Sequence, residues 1–120
     1  MHELALAQSI LEIAQRYVPA ERAGAARVVR VRVGKMVGVV VDSLVFCFEG
    51  IVRETPWERA RLEVTVVPVV CACAACREEF SADEPVFACP ECGSRGITRL
   101  SGDEFTVREI ELDDEPAEVS

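Results

Sequence analysis

Five of the six cysteines in this 120-residue chain fall within a short window, and four of them form a pattern with specific chemistry. Cys73-x2-Cys76 is followed after twelve residues by Cys89-x2-Cys92. Each C-x2-C turn places two thiolates on one side of a tight bend, and two such bends brought together offer four sulfurs to one ion, each about 2.3 Å from it. Pro90 pre-sets the second turn and Gly93 relieves the position after it. A lone C-x2-C would leave disulfide or redox chemistry open, whereas two at this spacing select metal, with zinc first and iron as the minor alternative. Four protein sulfurs leave no open position for a substrate, so the zinc is structural. The metal would also supply folding energy, of order 10–16 kcal/mol in small zinc peptides.

Cys71 and Cys47 remain outside this set. Cys71, two residues before Cys73, is either a bystander or an exchangeable ligand; Cys47, between Phe46 and Phe48, reads as a small buried hydrophobe. The single histidine, His2, offers a second kind of chemistry. A free α-amine at Met1, the backbone nitrogen and imidazole of His2, and the backbone nitrogen of Glu3 can complete a plane of four nitrogens. That geometry is preferred by Ni(II) and Cu(II), not by zinc. Binding there must release protons, so affinity should fall in acid.

Composition narrows the setting. Half the residues are apolar, which excludes a disordered chain, and no apolar run reaches the ~18–20 residues that span a bilayer. The start, Met1-His2-Glu3, puts acid where a signal peptide needs base, so a soluble, cytoplasmic protein is expected. The net charge of −8 is uneven: residues 1–70 carry 9 basic and 8 acidic side chains, residues 71–120 carry 4 and 13. The cysteine-bearing half is thus a poor match for phosphate backbones.

These residues must be positioned by the elements around them. Glu3–Val18 reads as an amphipathic helix with Leu6, Ile10, Ile13 and Tyr17 as its apolar stripe, Ala14 beside it, and a Glu12–Arg16 pair outside. Pro19 stops it, and Ala20–Ala26 is a loop. Arg27–Val33 alternates as a half-buried strand, and Gly34 and Gly38 bracket a turn. A second helix, capped by Asp42 or Ser43 and running to about Arg53, has Val45, Phe48 and Val52 as its inner stripe. Leu62, Val64 and Val66 mark another strand, closed by Pro68. Cys71–Gly102 has too little apolar periodicity to build an oil core. Thr106–Leu112 is a strand whose phase breaks between Val107 and Ile110, and Asp113–Ser120 is an acidic, frayed tail. The last strand needs the earlier sheet as its partner, which makes the cysteine module an insertion. The expected fold is α+β, a small mixed or antiparallel sheet with two helices plus an inserted zinc-ribbon domain. Its expected boundaries are 1–69 with 104–120 for the α/β domain and 70–103 for the ribbon.

Taken together, Met1-His2-Glu3 opening a helix, Arg32-Val33-Gly34, Ser43-Leu44-Val45-Phe46-Cys47-Phe48-Glu49, Arg61-Leu62-Glu63-Val64 and the paired C-x2-C turns resemble the HypA/HybF family of nickel metallochaperones for [NiFe]-hydrogenase maturation. The resemblance covers essentially the whole chain. It implies a nickel-binding α/β domain and a zinc ribbon, with the C-terminal strand returning to the first domain. It implies that His2 and the Met1 amine carry Ni(II), that Glu3 contributes either its backbone nitrogen or its carboxylate, and that Cys73, Cys76, Cys89 and Cys92 hold structural Zn(II). The partners it implies are a GTPase of the HypB type and the hydrogenase large-subunit precursor, and the chain itself is expected as a monomer or weak homodimer. No histidine lies in the ribbon, so zinc-site remodelling through a flanking imidazole is excluded.

The expected function is therefore carriage of a metal, not catalysis. There is no Ser/His/Asp or Cys/His arrangement and no glycine-rich phosphate loop. A zinc-ribbon nucleic-acid or transcription protein explains the cysteines and ignores the acid around them. A thiol redox protein using Cys71, Cys73 or Cys76 would purify without stoichiometric zinc. Neither nucleic acid nor membrane is expected as a partner.

Overall fold

A computed structural model of the chain describes residues 3–82, 88–113 and 116–118. The elements run α1 (Glu3–Tyr17), a 3₁₀ turn (Ala20–Ala25), β1 (Ala26–Gly34), a second 3₁₀ turn (Lys35–Val37), α2 (Val41–Val52), β2 (Arg61–Val67), β3 (Val69–Cys73), β4 (Glu79–Ala82), β5 (Ile97–Ser101), β6 (Phe105–Leu112) and β7 (Pro116–Glu118). The fold is α+β, with two α-helices and two small sheets, ordered β2-β1-β6-β7 and β4-β3-β5. No described helix is long and apolar enough to cross a membrane.

The chain forms two compact units, one of residues 1–32, 39–65 and 106–120, the other of residues 33–38 and 66–105. The expected boundary had left Val33–Gly38 outside the cysteine-bearing unit. Backbone hydrogen bonds explain why the turn groups with it: Gly34 N–H donates to Glu104 O at 2.7 Å and Met36 N–H to Gly102 O at 2.8 Å. A Cβ on Gly34 would run into the backbone of Gly102 and Asp103, so this approach requires glycine.

In the helical unit α1 and α2 pack together. Ile10, Leu44, Phe48 and Ile110 are fully buried, with Val29 and Val31 of β1 and Val107 of β6 also inside. The fully buried line of α1 is Ala7, Ile10 and Ala14; of the expected stripe Ile10 is buried, Leu6 and Ile13 are half-buried, and Tyr17 is 43% exposed. The expected Glu12–Arg16 pair is not formed.

Two further expectations need correction. The N-cap of α2 is Val40, with no side-chain cap of its own, instead of Asp42 or Ser43. Its carbonyl already accepts the Leu44 N–H at 3.0 Å, and its own N–H donates to the Glu3 carboxylate at 3.2 Å. The helix therefore starts two residues early, and its buried line is Leu44, Phe48 and Val52, with Leu44 in place of the expected Val45. In β2 the alternation slips, so that Leu62 and Val67 are buried while Val66 is 47% exposed.

β6 returns beside β1 in the first sheet, with the expected phase break: Val107 faces inward, then Ile110 and Leu112. The backbone of 116–118, expected to fray, forms β7 antiparallel to β6, pairing Ile110 with Ala117. Arg30 fastens neighbouring strands electrostatically, reaching Glu63 at 3.1 Å, Glu109 at 3.0 Å and Glu111 at 3.4 Å.

The ribbon unit is more regular than its composition implied. β3 is its central strand, antiparallel to β4 (Cys71 opposite Phe80) and to β5 (Cys73 opposite Ile97), with a bulge at Val70/Cys71. Val69, Cys71 and Cys73 alternate inward along β3. Cys71 is thus buried on the strand and stands apart from the metal-ligand cluster.

Candidate metal centre

The four expected cysteines converge. β3 ends at Cys73, the turn to β4 carries Cys76, and the segment before β5 carries Cys89 and Cys92. All four Sγ atoms lie within 4.8 Å of one another. Cys73 Sγ is 3.6 Å from Cys92 Sγ, and Cys76 Sγ is 3.7 Å from Cys89 Sγ. Four sulfurs each about 2.3 Å from a common centre would be about 3.8 Å apart, close to the spacing of these two pairs, so the donor set suits a tetrahedral ion of zinc size. None of the six cysteines forms a disulfide. Cys73 and Cys89 are buried, Cys76 is half-buried and Cys92 is exposed. The site therefore has one rim sulfur facing solvent.

The two turns are built alike. Cys73 O accepts the Arg77 N–H at 2.8 Å, and Cys89 O accepts the Gly93 N–H at 2.8 Å. In each case the residue just after the second cysteine takes a left-handed backbone, φ 64° at Arg77 and 76° at Gly93. Sequence reasoning had assigned this role to Gly93 alone. Arg77 adopts the same conformation against its side chain's preference, because the turn closes only with that dihedral. The flanking strands hold both ends: Cys73 N–H donates to Glu78 O, Ala74 N–H to Gly96 O, and Cys89 N–H to Ser94 O, all between 2.7 and 2.9 Å.

The same backbone amides govern the thiols. Cys73 is brought down to about 6, chiefly by the Cys76 N–H; desolvation opposes this, and the Ala75 N–H and the sulfurs of Cys92 and Cys76 assist. At Cys76 the Glu78 N–H favours the thiolate, but desolvation and the sulfurs of Cys73, Cys89 and Cys92 prevail and push it up to about 12. At Cys92 the Ser94 N–H favours ionisation, yet the Cys73 sulfur and desolvation raise it. Without a cation the cluster thus holds one readily formed thiolate that suppresses ionisation of its neighbours. A divalent ion at the centre reverses that logic and draws the protons off.

Of the residues assigned to the second metal, Met1 and His2 lie outside the described residues. Glu3 opens α1 in the helical unit, half-buried, with its carboxylate on the Val40 amide. Trp57, the chain's single tryptophan, is 4% exposed and packs inside.

Comparison with known proteins agrees with this architecture. The family model described as "Hydrogenase/urease nickel incorporation, metallochaperone, hypA" matches residues 1–112. A hydrogenase maturation factor HypA from Desulfatibacillum aliphaticivorans is 38% identical over 115 residues, covering 95% of this chain and 88% of that protein. One from Desulfosudis oleivorans is 40% identical over 114 residues, covering 93% and 98%. The solution structure of the nickel metallochaperone HypA from Helicobacter pylori superposes with a TM-score of 0.63 at 21% identity, covering 93% of this chain and 97% of that one, a likeness of fold. The chain belongs to the HypA family of nickel-incorporation metallochaperones.

Proposed function

We propose that this protein carries Ni(II) on its N-terminal Met1-His2-Glu3 segment and delivers it for [NiFe]-hydrogenase maturation, while Cys73, Cys76, Cys89 and Cys92 hold a structural Zn(II). The observation that carries this reading is the family match, which begins at residue 1 and so includes the chain's single histidine. The planar set comprises the Met1 amine, the backbone nitrogens of His2 and Glu3, and the His2 imidazole, donors suited to Ni(II). Carriage needs an accessible site and no chemical step, so the protein acts as a carrier and not as an enzyme. The closed set of four sulfurs suits a resident ion, which is why the zinc is assigned to architecture.

The partners on this reading are a HypB-type GTPase and the hydrogenase large-subunit precursor, met in the cytoplasm, with this chain a monomer or weak homodimer. Residues 1–69 with 104–120 would serve nickel and residues 70–103 would serve zinc. Ni(II) titration of untagged, zinc-loaded protein tests the assignment. The expected result is a planar nitrogen-bound Ni(II) spectrum that His2→Ala abolishes while zinc content and helical circular dichroism stay unchanged. Unaltered nickel affinity in His2→Ala would refute it.

A further inference from the structure

The helical unit contains a cleft of about 730 Å³ that neither metal uses. Its walls come from the start of β1 (Arg27), the end of α2 (Glu49, Arg53), the loop into β2 (Glu58, Arg59) and the first residue of β2 (Arg61). The chain holds 21 acidic residues against 13 basic ones, so a carboxylate should be easy to find for any arginine. Elsewhere in the same unit that expectation holds: Arg30 engages three glutamates, and Arg27 meets Asp113 at 2.7 Å. Arg53, Arg59 and Arg61 are exposed on the cleft, and among the described residues none of them is bonded to an acid. The lining holds four arginines against two glutamates, a local excess of positive charge in a chain of net charge −8.

The loop between Arg53 and Arg61, which carries Arg59, is held by its own bonds. Glu54 sits at φ 60°, and its N–H is held by the Glu58 carboxylate at 2.7 Å. The Thr55 hydroxyl donates to Val52 O and accepts the Trp57 N–H, while Ala60 N–H closes onto Trp57 O. The buried Trp57 anchors the loop beneath its charged residues. Backbone held in a strained conformation by several bonds is typical of a surface that must keep its shape for a ligand.

We infer that this cleft binds a short acidic segment of a partner protein. Arginine forks take carboxylates in pairs, and the two glutamates of the lining can accept N–H groups from such a segment's backbone. Nucleic acid is disfavoured by the overall charge and by the absence of an aromatic ring in the lining on which a base could stack. The site goes beyond metal carriage, since none of its residues is a proposed ligand for nickel or zinc.

The test is fluorescence anisotropy on zinc-loaded full-length protein with a labelled Asp/Glu octapeptide as probe. Saturable binding is expected at about 50 mM salt, weakening as salt rises to about 300 mM. The Arg59→Ala/Arg61→Ala double variant should weaken it by about tenfold or more, and Arg59→Lys/Arg61→Lys by less, because lysine keeps the charge but loses the fork. Arg95→Ala/Arg108→Ala, which removes two arginines outside the cleft, should bind as the parent does. Circular dichroism and zinc content establish that each variant is folded. Absence of saturable binding at low salt, equal loss in the Arg95/Arg108 control, or displacement of the peptide by inorganic phosphate or a single-stranded oligonucleotide at equal concentration would each overturn the proposal.

Discussion

The two units of this protein solve the stability problem of a small chain by different means. The helical unit buries Ile10, Leu44, Phe48 and Ile110 completely, and its sheet is fastened by Arg30 across Glu63, Glu109 and Glu111. Among the described residues of the ribbon unit, no buried side chain is larger than valine, and its other buried residues are cysteines and glycines. Fully burying a large apolar side chain contributes about 1.5–3 kcal/mol, so the first unit can stand on summed burial. The second has too few such groups and must concentrate its stability at one point, the four-sulfur cluster. Stability spread over many contacts tolerates the loss of one, whereas stability placed in one ion does not.

The largest test of that contrast is removal of the ion. Chelation, or Cys89→Ser, should unfold the ribbon sheet at a cost on the order of 10 kcal/mol while sparing the helical signal, because both α-helices belong to the other unit. Circular dichroism at the helix band, read beside amide exchange in β3 and β5, separates the two responses. Simultaneous loss of helix and ribbon would show that the units do not divide stability as described. Acid should act in the same direction. The folded Cys73 thiol lies below its ordinary value of 9.0, at about 6. In the metal-free cluster its thiolate therefore favours the folded arrangement fully above pH 9, and that contribution is lost as pH falls through about 6. In the zinc-loaded protein protons compete with the ion for all four thiolates, so chelator-accessible zinc should rise as the pH is lowered and stay low at neutral pH.

A smaller effect, on the other unit, comes from Phe48→Ala, which should cost about 3–5 kcal/mol through lost transfer energy and a residual cavity. Thermal unfolding followed at the helix band should shift down while zinc stoichiometry is unchanged. The smallest expected effect lies within the ribbon, between its two turns. Arg77→Gly should gain about 1 kcal/mol by relieving the left-handed residue, and Gly93→Ala should lose about as much, both read as zinc retention against a competing chelator. Equal behaviour of the two variants would mean that the turns are not equivalent in strain.

The metal centre was legible in the sequence because its information is local. Cysteine spacing determines which sulfurs can share an ion, and Cys73, Cys76, Cys89 and Cys92 meet as their spacing requires. The alternation of Val29, Val31 and Val33, and the phase break between Val107 and Ile110, were also local and reappear as burial in β1 and β6. The inward face of α1 was legible only in part: Ile10 and Ala14 are buried, whereas Tyr17 is exposed and Ala7 takes its place on the inner line. Which of two neighbouring stripes turns inward depends on how near α2 comes, and that is decided by a partner forty residues away in the chain. The cap of α2 was hidden for the same reason, since its Val40 amide is taken by Glu3 from another helix.

By itself, then, the sequence determined the four sulfurs, the single histidine at the chain's start and the acid surplus of the second half, because residue type, spacing and count need no neighbours to have meaning. The tertiary structure alone decided which charges find partners. Arg30 is bound by three glutamates while Arg53, Arg59 and Arg61 stand open on a cleft, although all four are the same residue in the same acid-rich chain. Ion pairing depends on distance in space, and only the folded chain sets those distances.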